Sequence, residues 1–195
     1  MLRQINEKYI EELRAVPACL NKKFVLGEGN SDTPGLMMIG EAPGAQEVLQ
    51  GRPFVGSAGR NLNDFLKIMG AIRDSIYITN AVKIRPTSNG RDGQEKNRTP
   101  TFNEVALFLP WLRDEIQAVN PAILVTLGNT ALRALIGETA SIGDKHGQLL
   151  HFPGIMALYP LYHPAAIIYN RALANVYKED VVRLRKLINN HSWER

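Results

Sequence analysis

One cysteine, Cys19, stands among the 195 residues of this chain. A lone thiol forms no internal disulfide, and it excludes any all-cysteine metal site built from one chain. A reducing compartment agrees with that, and the expectation is a cytoplasmic protein. Long apolar runs are missing too: no stretch approaches the ~20 apolar residues of a membrane-spanning helix. Met1 to Arg14 carries Glu7, Lys8, Glu11, Glu12 and Arg14 where a secretory leader needs an apolar centre. Aromatic residues are scarce at 7%, yet 45% of the chain is hydrophobic and 22% charged, so neither a disordered chain nor a disulfide-stapled miniprotein fits. The expectation is one domain, residues 1–195, around one core. The glycine-rich nucleotide loops GxxxxGK[ST] and GxGxxG are also absent, which argues against a nucleotide cofactor.

No strong excess of one charge is present either. The 23 Lys and Arg against 19 Asp and Glu leave +4, a balance that suits a polyanionic partner without requiring one.

What the chain does contain is a set of short apolar runs bounded by polar, Gly or Pro residues: Leu36 to Ile39, Ile76 to Thr79, Ile123 to Leu127 and Ile155 to Tyr159. These read as buried strands. Helical spacing lies around and between them, at Ile5, Tyr9 and Leu13; at Leu62, Phe65, Leu66 and Met69; at Val105, Phe108, Leu109, Leu112 and Ile116; at Ala131, Leu132, Leu135 and Ile136; and at Val181, Leu184, Leu187 and Ile188. Strands alternating with helices predict an α/β protein, a three-layer α/β/α sandwich with a central four-stranded parallel sheet. In such sheets ligands bind beyond the carboxyl ends of the strands, so the segments after Ile39, Thr79, Leu127 and Leu158 are the ones to inspect. The polar stretch from Pro86 to Pro100 reads as a long loop that faces DNA or simply solvent.

Gly40-Glu41-Ala42-Pro43-Gly44 has the composition of a tight turn that lets a ligand approach the backbone, which is also the composition of an ordinary strand-to-helix turn. Phe54, between Pro53 and Val55-Gly56, is either an anchor under a loop or a platform for a flat ring. Ser57 and Gly59 precede a helical pattern, where backbone N–H groups hold phosphate. Asn80 ends a strand, which is either turn chemistry or a side chain offering one acceptor and two donors to the edge of a base, and His163 precedes Pro164 near a helix start, either as a structural cap or as a neutral imidazole that donates to developing negative charge.

The ordered set GEAPG, GRPFVGSAG, TNAVKIRP, NRTP, TLGNTA and YHPAAIIYN, running from residue 40 to residue 170, closely resembles family 4 uracil-DNA glycosylases. The resemblance implies hydrolysis of the N-glycosidic bond of a uracil flipped out of single- or double-stranded DNA, by a monomer. It implies Glu41, Asn80 and His163 as catalytic residues, and Gly40, Ala42, Pro43, Gly44, Phe54 and Asn80 as the base pocket. Backbone contacts would come from Ser57, Gly59, Lys83, Arg98 and Ala165.

Family 4 proteins usually carry four cysteines for a 4Fe-4S cluster; matched to those positions, this chain has Val16, Cys19, Ile84 and Phe108. Val, Ile and Phe cannot ligate iron, so the resemblance predicts that the cluster is absent and that no metal or other cofactor is used. His146 falls where the family often has Arg, and the Thr87 to Lys96 segment is longer than the family pattern. That segment contains Arg91 and Lys96 as further cations but no His. Two alternatives stay open: a non-catalytic DNA-binding module of the same fold, and a glycosylase for another deaminated base such as hypoxanthine.

Overall fold

Helix α1 (Leu2–Arg14) opens the computed structural model, which describes residues 1–32, 34–90 and 93–190. The central strands are β2 (Leu36–Gly40), β3 (Tyr77–Asn80), β6 (Ile123–Leu127) and β8 (Ile155–Leu161). They pair in parallel in the spatial order β3-β2-β6-β8. The sheet is larger than the sequence suggests, because two short strands extend it to six. β1 (Glu28–Gly29) adds antiparallel to β3, and β7 (Leu150–Phe152) adds antiparallel to β8. Two or three residues show no alternation that a sequence reading can detect, so these edges escaped it.

Alternation along the strands sorts the core into two layers. Met38, Ile78, Val125 and Tyr159 face one side with Leu62, Leu66, Val181 and Leu184. These last four belong to α3 (Ser57–Met69) and α8 (Leu173–Asn190). Met37, Ile39, Leu124 and Leu158 face the other side, against Leu112 and Ile116 of α4 (Phe102–Val119) and Leu132 of α5 (Asn129–Ile136). Ile136, assigned by its spacing to the apolar face, is exposed because α5 ends there. A third apolar cluster joins α1 to α4 through Tyr9, Leu13, Phe108 and Trp111.

After β2 the chain forms α2 (Ala45–Gln50) and then α3 on one face, whereas after β6 it forms α5 on the other. Adjacent strands whose connections leave to opposite faces open a crevice at their carboxyl ends. The stretch expected to be a loop is a hairpin, β4 (Thr87–Asn89) with β5 (Glu95–Asn97), paired Thr87 to Asn97 and Asn89 to Glu95. Arg91 lies outside the described residues.

The remaining elements are α6 (Ile142–Lys145) before β7, and α7 (Ala166–Tyr169) between β8 and α8.

Candidate active site

At the carboxyl ends of the parallel strands lies a cleft of about 620 Å³ lined by Glu41, Ala42, Pro43, Gly44, Phe54, Asn80 and His163. The sequence separates these residues by up to 122 positions, and the strand ends bring them together. Gly40, the last residue of β2, lies against Asn80 and Phe54. A Cβ there would collide with both Asn80 Oδ1 and the edge of the Phe54 ring, so only glycine lets the two side chains meet. Phe54 has φ +52, a conformation that non-glycine residues adopt at a cost and that concentrates at functional sites. Its ring centroid is 5.9 Å from that of His163. Among the described residues no group pairs with the Asn80 side-chain amide, which leaves an acceptor and two donors for a ligand edge.

His163 is held from two sides. Gly128, at φ +90, packs where a side chain would press on His163 Cβ. The Ala165 amide donates to His163 Nδ1 at 3.2 Å, so Nδ1 is the acceptor nitrogen and the ring proton is on Nε2. Burial drives the imidazole pKa down to about 4, against a smaller opposing pull from the Glu47 carboxylate. At neutral pH His163 is a neutral Nε2–H donor.

Glu41 accepts a short hydrogen bond from the Thr130 hydroxyl, and Thr99 provides a second. Burial nevertheless raises its carboxyl above the ordinary range, with the two hydroxyls acting in the opposite direction. The sequence reading assigns no role to Thr99 or Thr130, although Thr99 stands directly before Pro100 in NRTP and Thr130 stands two positions after Gly128 in TLGNTA. Glu47 was overlooked as a tether. Its Oε2 accepts from Gly44 N–H at 3.1 Å, and its Oε1 accepts from Val55 N–H at 3.1 Å and Gly56 N–H at 2.8 Å. One carboxylate thus clamps the Gly44 turn to the Phe54 loop.

Several expected phosphate contacts are placed otherwise. Lys83 is fully buried and forms an ion pair with Glu115, so it cannot reach a DNA strand. Gly59 is buried against the Phe54 carbonyl, where any larger residue would collide. The Ala165 amide is already engaged by His163. Arg98 lines the cleft but directs its guanidinium to Glu104 at 2.6 and 2.7 Å and to the Thr87 carbonyl at 3.0 Å, tying the hairpin to α4. Ser57 alone of this group is exposed at the start of α3 and lines the cleft. His146 hydrogen-bonds through Nδ1 with Asp180 at 2.7 Å and packs its ring, tilted by 38°, 4.8 Å from that of Tyr162, which makes it a buttress behind the His163 segment.

Val16, Cys19, Ile84 and Phe108 converge in the third apolar cluster, packed with Tyr9, Phe24 and Trp111. Cys19, Ile84 and Phe108 are at most 2% exposed, and burial raises the Cys19 thiol pKa, which favours the neutral form over the thiolate. A 4Fe-4S cluster needs about four thiolates and an open cage, and this site supplies one thiol in packed hydrocarbon. The residues do not fit the cluster.

A profile of the uracil DNA glycosylase superfamily matches residues 26–186. The chain belongs to the uracil-DNA glycosylase superfamily. It is 36% identical to the type-4 uracil-DNA glycosylase of Thermotoga maritima over 96% of this chain and 95% of that one. It is 35% identical to the type-4 enzyme of Saccharolobus solfataricus, over 92% and 84% of the two chains. The corresponding enzyme of Pyrobaculum aerophilum is 38% identical, over 82% and 81%. The crystal structure of Pedobacter heparinus SMUG2 superposes with a TM-score of 0.61 at 16% identity, covering 82% of this chain and 77% of that one, which supports the shared fold of the superfamily.

Proposed function

We propose that this chain is a uracil-DNA glycosylase that hydrolyses the bond between C1′ of deoxyribose and N1 of a flipped-out uracil. The observation that supports this most is the convergence of Glu41, Phe54, Asn80 and His163 on one cleft, with a free amide on Asn80 and the proton of His163 on Nε2.

Extruding a base from duplex DNA costs a few kcal/mol, and stacking on an aromatic ring such as Phe54 returns about 1 to 3 kcal/mol. The Asn80 oxygen accepts from uracil N3–H and its NH₂ donates to O4. Cytosine presents an acceptor and a donor in those places, so it would leave both Asn80 groups unpaired. As the C1′–N1 bond breaks, its electron pair leaves with the base and negative charge collects on O2. His163 Nε2–H donates there, where a single donor is typically worth about 3 to 4 kcal/mol. The sugar becomes an oxocarbenium ion, stabilised by the Glu41 carboxylate. Water then bonds to C1′, and Glu41, with its raised pKa, accepts the proton that water loses. The segment after His163 presents Tyr169, 89% exposed, at the rim of the cleft, and this side chain supports a wedge at the vacated stack.

The chain folds and acts without an iron-sulfur cluster on this reading, because apolar packing occupies the ligand positions. It acts as a monomer, in a cytoplasm that keeps Cys19 reduced. Incubation with single- and double-stranded oligonucleotides carrying uracil or hypoxanthine, followed by alkaline cleavage, tests the activity. Strand breaks at uracil that vanish in Asn80→Ala and His163→Ala are expected. DNA binding without release of either base would contradict hydrolysis, and preferential release of hypoxanthine would contradict the assigned base.

A further inference from the structure

The buried pair Lys83 and Glu115 lies directly behind Asn80, and both side chains are fully inaccessible. Lys83 Nζ donates to Glu115 Oε2, to Thr79 Oγ1 and, at 2.7 Å, to the Asn80 carbonyl. Those three acceptors match the three hydrogens of an ammonium. Glu115 Oε1 also accepts from Tyr77 Oη at 2.9 Å and from Thr79 Oγ1 at 3.1 Å. Residues 77, 79 and 80 of β3 are therefore all tied to one carboxylate of α4, directly or through Lys83.

The Asn80 carbonyl needs such a partner for a topological reason. Along a strand, the N–H and C=O of successive residues point alternately to the two neighbours. Ala81 N–H donates to the Gly40 carbonyl, so residue 81 faces β2 and residue 80 faces the opposite side. On that side β1 pairs only with Tyr77 and Ile78 and then ends. The sheet offers the Asn80 carbonyl nothing, and a buried carbonyl without a partner is costly. Lys83 fills the place of the missing strand.

A buried ion pair is weak evidence for a stabilising role, because removing two ions from water costs about as much as their attraction returns, and packed hydrocarbon often serves as well. Its geometry is the more informative property. We propose that the Lys83–Glu115 pair is a positioning device that fixes the peptide plane of Asn80, and with it the direction in which the Asn80 amide meets the base. The proposal rests on the assignment of Asn80 as the residue that reads the uracil edge. Lys83 and Glu115 touch no substrate and act through Asn80 alone.

The test replaces both charges together, Lys83→Met with Glu115→Leu, since either single change leaves an unpaired buried ion and the single variants serve only as folding controls. The double variant is expected to stay folded at the assay temperature by circular dichroism but to unfold several degrees lower, because the Asn80 carbonyl and the Tyr77 and Thr79 hydroxyls lose their partners. Its kcat for uracil excision is expected to fall by about 10²-fold, the loss that a displacement of ~1 Å typically produces, with KM little changed. Adding Asn80→Ala to the double variant should then cost little more, because the amide is already misplaced. A double variant with parental kcat, or a full additional loss on Asn80→Ala, overturns the proposal.

The Asn80 side-chain amide is followed by NMR in the same proteins. One sharp pair of resonances is expected in the parent, and broadened or doubled resonances in the double variant. An unchanged amide signal overturns the positioning role whether or not uracil is excised. A parent that releases no uracil refutes the glycosylase reading instead, and leaves the amide signal to decide on Lys83 and Glu115.

Discussion

On the proposed mechanism His163 is the residue on which the chemistry depends most, and its protonation state follows from its surroundings. The Ala165 amide points at Nδ1 and burial lowers the pKa to about 4, so the ring is neutral wherever the enzyme would work. His163→Ala is expected to reduce kcat by about 10² to 10³-fold, the range for removal of one donor aimed at developing charge. The pH dependence follows from two directions. Glu41, raised by burial, must be ionised, so kcat/KM should fall on the acid side at a higher pH than an ordinary carboxylate would give. No step should occur near the ordinary imidazole value of 6.5, and one that disappears on mutation of His163 would refute the neutral donor. Stability should respond as well. The unfolded chain binds a proton on His163 below 6.5 and the folded chain only near 4, so stability is lost as pH falls through that interval. Urea unfolding of His163→Asn should show a shallower loss over the same interval.

Elements hold these residues through glycines and hydroxyls that lie beside them. Gly128→Ala places a methyl against His163 Cβ and forces φ +90 on an L-residue. It is expected to lower kcat well before it affects the secondary structure seen by circular dichroism. Much of this level was legible in the chain. The parallel strands and their ends were readable because Leu36 to Ile39 and Ile123 to Leu127 are apolar on both faces, as strands between two helical layers must be. Lys83, which the resemblance implies as a backbone contact, is instead buried, and its partner Glu115 is 32 positions away on an amphipathic helix. Pairing across that distance is a tertiary fact with no local pattern. The β4–β5 hairpin was read as a loop because polar residues without alternation give no strand signal. Glu47 was hidden for a related reason, since its three amide partners lie on two loops whose approach only the fold defines.

The whole molecule combines a superfamily site with an apolar cluster at the positions that the family 4 resemblance assigns to cluster ligands. Phe108 is fully buried in that cluster, and Phe108→Ala should cost about 3 to 5 kcal/mol in urea unfolding, the usual range for emptying such a site. Added iron and sulfide should restore none of it. If the cluster positions have become ordinary core, stability and activity should be indifferent to chelators. Among the described residues no group of three His, Cys, Asp or Glu is placed to hold a metal ion, and no helix is long and apolar enough to cross a membrane. The most direct test of the central claim measures uracil release from a single-stranded oligonucleotide by protein whose iron and acid-labile sulfide have been determined on the same sample. Steady release by protein containing essentially no iron is the predicted result. Release that scales with iron content, or no release from protein whose fold is intact, would contradict it.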